Sequence, residues 1–350
     1  MTINIYETRT MMRAIEKMMP KQTFLRDTFF PNIQTFVNEK VDVDFRKGKR
    51  RMAPFVARNS GGITVSRQGF QTDTWQTPYV APQRLLTKND LNNRMIGENI
   101  YSTRTPAQRA MELLGRDLVE LEDMIVRREE WFCRQVLLYG VVTIKGWIDK
   151  FGGTDYVEDT VDYQFTNKET LSGADAWDQS TCDMYADLKR IRLAIIQAAG
   201  MNPNVGIMAG NVADLFINNL AVQTLLDIRN LTIGTIQPRI QQDGITYIGT
   251  IASLGLELYT YDEWFLDDDD VEYPMMPDDY LIMGRTGLGS RLYGAVTQVE
   301  EVDKEFHTYE GTRIPKVWTD TNNDMKLVRI ASRPLPKPDD VDSWYVLKVK

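Results

Sequence analysis

The stretch from Thr105 to Tyr139 carries one long helical pattern, and just before it lies a segment dense in positive charge. Thr105 suits an N-cap, Pro106 the first helical position and Gly140 the residue just past the end. Between these ends Ala107, Met111, Leu114, Leu118, Leu121, Ile125, Phe132, Val136 and Tyr139 recur mostly at spacings of three and four, which lines one face of a helix. Arg116, Asp117, Glu120, Glu122, Arg127 and Glu130 are expected on the solvent side. Such a rod is roughly 50 Å long, so it protrudes from a small domain or serves as a backbone for other elements. The other reading is an ordinary core helix of a two-domain enzyme, kinked at Gly115.

The cationic segment runs from Phe45 to Gln68 and holds Arg46, Lys47, Lys49, Arg50, Arg51, Arg58 and Arg67 with no acidic residue. The alternation Val41 to Phe45 and the run Ile63 to Val65 read as strands, so the region is expected to be a long hairpin. Ahead of it, Thr10 to Met19 is expected to form a short amphipathic helix stopped by Pro20. Phe24, Leu25, Phe29 and Phe30 then place aromatic bulk near a terminus, where a core or a neighbouring subunit must cover it.

Composition narrows the function. The chain has 350 residues, enough for two compact lobes, and a formal charge of −8, which argues against a dedicated nucleic-acid binder. Two cysteines provide neither a disulfide framework nor a zinc cluster, and fit a reducing cytoplasm. No apolar run reaches the length of a signal peptide core or a membrane span. His307 is the only histidine, which removes every site that needs two imidazoles, and no Gly-x-Ser-x-Gly elbow is present. Gly284 to Ser290 imitates a phosphate loop but lacks its lysine and is followed by strand-like residues, so a sharp turn is expected there. No catalytic, cofactor or metal residue is assigned. Asp262 to Asp279 holds nine acidic residues and no basic one, including Asp267, Asp268, Asp269 and Asp270. That run reads either as a solvated loop or as a salt-bridging partner for the cationic segment.

After the rod, Val141 to Ile148 and Tyr156 to Phe165 suggest a hairpin, and Thr166 to Thr181 a connection. Cys182 to Ala199 reads as a helix, Val205 to Met208 as a buried strand, and Asn211 to Asp227 as a helix capped by Asn211. Thr246 to Ile248 and Leu256 to Tyr261 are strand candidates, followed by short strands from Tyr280 to Val349.

Several segments together resemble the major capsid proteins of tailed phages, in particular the family of the phage lambda capsid protein. They are Thr23 to Phe30, Thr77-Pro78-Tyr79-Val80-Ala81-Pro82, Met283 to Thr286 with Arg291 to Gly294, Pro315 to Trp318, and Ile330 to Pro336 with its continuation to Trp344. The resemblance implies an α+β fold of the Hong Kong 97 type. It implies an N-terminal arm over residues 1–40, an extended loop and connection over 41–104, a peripheral domain with its spine helix over 105–165, an axial domain over 166–283 and a return to the peripheral domain over 284–350. It implies hexamers and pentamers of one chain in an icosahedral shell around double-stranded DNA that is enclosed without specific binding. Portal, scaffolding and decoration proteins are the implied partners, and the location is the virion, assembled in the host cytoplasm. Under this reading Arg46, Lys47, Lys49, Arg50, Arg51, Arg58 and Arg67 meet neighbouring subunits, with Asp267 to Asp270 as an acidic counterpart, and Phe24, Leu25, Phe29 and Phe30 anchor the arm between subunits. A tail-tube or ring component, or a cytoplasmic enzyme with a carboxylate site, are the alternatives.

Overall fold

Thr105 and Gly140 bound the long helix as their chemistry requires. In a computed structural model of the chain, which describes residues 8–16, 23–38, 40–45, 71–92, 105–148, 156–179, 182–219, 222–223, 235–242, 244–301 and 303–350, the helix is Pro106–Tyr139. The Thr105 hydroxyl accepts from the Gln108 N–H, the Gln108 side chain accepts from the Thr105 N–H, and Gly140 sits at φ 68°. A reciprocal cap of this kind satisfies two donors that the first turn cannot. Thr105→Ala is therefore expected to cost about 0.5–2 kcal/mol in denaturant unfolding of the unassembled chain, and an unchanged midpoint would contradict it.

The helix threads two separate hydrophobic cores. Its first half, Leu114, Leu118, Leu121 and Ile125, packs with Met11, Ile15, Val317, Val328 and Ile330. Its last turns, Phe132, Cys133, Val136, Leu137 and Leu138, enter a much larger core. Met111 is half exposed and Tyr139 more than a third, so the apolar stripe read from the sequence is covered only in its middle.

The larger core is built on a seven-stranded sheet ordered Lys168–Thr170, Tyr345–Lys348, Tyr280–Gly284, Val205–Met208, Leu256–Tyr261, Ile245–Ile251 and Thr235–Gln242. Val205–Met208 is buried throughout, as its unbroken apolar run requires of a central strand. Helices Met184–Ala199 and Gly210–Asn218 contribute Leu188, Ile191, Ile195, Val212, Ala213 and Phe216 to the same core. Asn211 does not cap the second helix as expected. Ala209 holds that position without a side-chain bond, and the Asn211 amide instead exchanges hydrogen bonds with Asp279. Tyr345–Lys348 lies in this sheet beside Tyr280–Gly284, so the final segment returns partly to the sheet of the preceding region. Buried Trp344 fastens that return, donating its indole N–H to the Leu137 carbonyl at 2.9 Å and stacking on Phe165 at 4.6 Å.

A three-stranded sheet, Gln83–Thr87, Met325–Ala331 and Ile314–Asp320, covers the first half of the long helix. Helix Thr8–Glu16 buries Met11 and Ile15 in that core. In another small sheet Asn32–Phe36 runs parallel to Gly289–Gly294, whose far side pairs with Pro334–Pro338. Proline lacks the ladder donor, so Pro334, Pro336 and Pro338 belong at such an edge. Lys40–Phe45 pairs with Gln71–Gln76, a strand that the sequence pattern did not mark, and Val141–Trp147 pairs with Tyr156–Asp162 as expected. Ile63 to Val65, expected in the first hairpin, lies outside the described residues.

The phosphate-loop imitation is a turn. It links Tyr280–Gly284 of the large sheet to Gly289–Gly294 of the small one, and its Gly287 N–H donates to the Thr28 carbonyl at 2.8 Å. A strand follows it, so no helix N-terminus is present to receive a phosphate.

Candidate assembly surfaces and the charged joint behind them

Between the two cores the long helix turns three carboxylates inward. Glu122, Glu129 and Glu130 are all buried, although Glu122 and Glu130 were expected on the solvent side. Periodicity assigns a face by polarity; here the partners reverse it. Arg313, brought in by the loop before Ile314–Asp320, donates from Nε to Glu122 Oε2 at 2.6 Å and grips Glu129 with both terminal nitrogens, at 2.7 and 3.1 Å. Such a fork is the strong geometry for a guanidinium and a carboxylate. Arg26 adds a bond to Glu129 Oε2 at 3.0 Å, and the Tyr293 hydroxyl donates to Oε1 at 3.0 Å. Arm segment, long helix and C-terminal strands thus meet on one carboxylate.

Glu130 serves a different purpose. Oε1 accepts from the Phe24 and Leu25 N–H groups at 3.1 and 2.8 Å, and Oε2 from the Arg26 N–H at 2.8 Å. These donors open the short helix Leu25–Phe29, whose own cap residue Phe24 makes no side-chain bond. A negative group there completes the turn.

Burial works against ionising Glu129, but Arg313 and Arg26 outweigh it and hold the carboxyl below its ordinary range. Burial likewise opposes ionisation of Asp27, and Arg26 with Thr23 brings it down. Burial pushes Glu130 up against its backbone donors. A depressed carboxyl contributes stability that is full above its unfolded pKa, about 4, and is lost as pH falls through the folded value; a raised one contributes with the opposite sign. The unassembled chain is therefore expected to lose resistance to urea below about pH 4. Glu129→Gln should flatten that acid limb and Glu130→Gln should steepen it. A wild-type midpoint constant from pH 5 to pH 3 would contradict the assignment.

The arm aromatics also settle differently from expectation. Leu25, Phe29 and Phe30 are completely buried in the chain's own large core, and Phe24 packs its ring 5.5 Å from both Tyr259 and Tyr261. They anchor this segment to the chain's own body, because Glu130 and the sheet strand Gly289–Gly294 fix the chain on either side of them.

Asp267, Asp268, Asp269 and Asp270 form the tip of a two-stranded ribbon, Trp264–Leu266 against Glu272–Pro274. The Asp267 N–H donates to the Val271 carbonyl at 2.9 Å, and Asp270 sits at φ 57°, a conformation that aspartate tolerates better than most residues. Asp268 pairs with Arg128 of the long helix. Asp269 and Asp270 point to solvent. Arg46, Lys47, Lys49, Arg50, Arg51, Arg58 and Arg67 lie outside the described residues. His307 is on an exposed hairpin, with Nε2 2.6 Å from Asp303 Oδ2.

Apolar side chains stand outward on several projections: Trp264 and Leu266 on the acidic ribbon, Ile148 and Val157 on the hairpin after the long helix, Phe306 near His307, and Ile33 on the edge strand. This arrangement, a long spine helix with a sheet region at one end, strands along its flank and an N-terminal segment locked across its middle, is the α+β Hong Kong 97-like capsid fold. The putative capsid protein of a prophage of E. coli CFT073 superimposes with a TM-score of 0.70 at 18% identity, over 98% of this chain and 99% of that one. A phage-related protein from Bordetella bronchiseptica RB50 gives 0.56 at 10% identity, over 96% and 94%. The major capsid protein of Enterobacteria phage P21 is 24% identical over 352 residues, covering 99% of this chain and all of that one. The major capsid protein of Escherichia phage lambda is 22% identical over 351 residues with the same coverage. Residues 7–349 match the family described as phage major capsid protein E. The chain belongs to that family, and its role is that of the major head protein of a tailed phage.

Proposed function

We propose that copies of this chain tile an icosahedral shell as hexamers and pentamers around double-stranded DNA, assembling in the host cytoplasm with portal, scaffolding and decoration proteins as partners. The match to a family of head proteins over residues 7–349 carries this reading. Its work is assembly, without catalytic turnover. Several moderate interfaces per subunit combine by multivalency, so each can be weak enough to correct errors while the closed shell is stable. The cationic stretch Arg46 to Arg67 meets acidic surface on adjacent subunits, with Asp269 and Asp270 as available carboxylates. The net charge of −8 suits a container, because DNA that adhered to the wall could be neither packed nor released easily. Sedimentation of the expressed protein, alone and with a scaffolding partner, tests the reading. Megadalton particles are expected; a discrete small oligomer under every condition would overturn it.

A further inference from the structure

Trp264 and Leu266 are each 58% exposed, the most exposed apolar side chains of their ribbon, ahead of Val271 at 46% and Tyr273 at 45%. Antiparallel register sets Trp264 opposite Pro274, Phe265 opposite Tyr273 and Leu266 opposite Glu272. Side chains alternate along a strand, so Phe265 faces inward while Trp264 and Leu266 share the outer face. Phe265 packs against the large core beneath the Arg134 guanidinium at 5.4 Å. Below the ribbon, Met275 and Met276 are buried, the Met275 N–H donates to the Glu263 carbonyl at 2.7 Å, and the Met275 carbonyl accepts from Arg134 at 2.7 Å. The strand that presents the outer face is thus tied to the body by Phe265 and Met275, and a tryptophan presented in this way makes a good interface anchor.

The ribbon also has a charge gradient. Its tip carries Asp267 to Asp270, and Glu272 stands beside Leu266. Among the described residues only Asp268 of this group forms an ion pair, to Arg128. An occupant that matches this surface needs cations followed directly by apolar residues, with no carboxylate. Lys49-Arg50-Arg51-Met52-Ala53-Pro54-Phe55-Val56 has that order, three cations and then five apolar residues. We propose that the outer face of Trp264–Pro274 seats the stretch Lys49 to Val56 of a second copy of this chain, the cations at the aspartate tip and Met52 to Val56 over Trp264 and Leu266. This rests on the shell reading and adds an apolar anchor, a direction and a defined segment to it.

The test uses two full-length chains of different mass, one with Ala53→Cys and one with Glu272→Cys, co-assembled and mildly oxidised. Native Cys133 and Cys182 are buried and stay out of the reaction. A disulfide heterodimer in the particle fraction that requires both substitutions is expected. Adding Trp264→Ala and Leu266→Ala should lower its yield at least tenfold while leaving the unfolding midpoint of the unassembled chain unchanged. Particles without the cross-link, a cross-link closing only within one Ala53→Cys/Glu272→Cys chain, or one joining only two Glu272→Cys chains would each overturn the inference and leave the shell reading standing. Failure of the unsubstituted chain to form particles would sink both.

Discussion

Arg313→Met lowers the stability of the unassembled chain by about 3–5 kcal/mol, the range expected when one partner of a buried ion pair is removed and the other stays. Arg313 is 8% exposed, and its guanidinium is the only group among the described residues that bonds Glu122 and Glu129 together. Without it Glu129 keeps Arg26 and Tyr293, but Glu122 loses the cation that justifies its burial. Methionine fills similar volume and is apolar, so the loss reads out charge more than cavity. Adding Glu122→Gln and Glu129→Gln to Arg313→Met should recover much of the deficit, because neutral groups cost less to bury. Urea unfolding at neutral pH checks both variants through a shift in midpoint at constant slope. A single-variant loss below about 1 kcal/mol would show that the joint is wet and the pairing weak.

Charge reversal in the cationic stretch has a different target. Arg50→Glu with Arg51→Glu is expected to abolish particle formation while the unassembled chain unfolds at the same urea concentration as the unsubstituted protein. Both residues belong to a run without any acidic neighbour, so on the proposed function reversing two of its seven cations would replace attraction to acidic surface by repulsion. Salt should act in the same direction. Assembly of the unsubstituted chain should weaken between low and high ionic strength, as screening shortens the reach of exposed charges. Particle yield by sedimentation and folding by far-ultraviolet circular dichroism separate the two effects. Normal particle yield from the double variant would remove the cationic stretch from the interface.

The ends of the long helix were legible because Thr105, Pro106 and Gly140 act through local backbone chemistry that needs no partner. The turn at Gly284 to Gly289 was legible for the same reason. The inward carboxylates were not. Glu122 meets Arg313 across 191 residues of sequence, and no helical periodicity contains that information. The aromatic group Phe24 to Phe30 announced that something must cover it, but only the fold shows that the chain's own core does so. The acidic run gave its charge and not its shape, since strands as short as Trp264–Leu266 and Glu272–Pro274 leave too little alternation to read. Asn211 failed as a cap because Asp279, distant in sequence, offers its side chain better partners.

Electron microscopy of particles assembled from the full chain tests the central claim most directly. Closed icosahedral shells are expected, with six-fold and five-fold clusters of this fold and the long helices repeated around each cluster. Open tubes, stacked rings or solitary subunits in every preparation would contradict it.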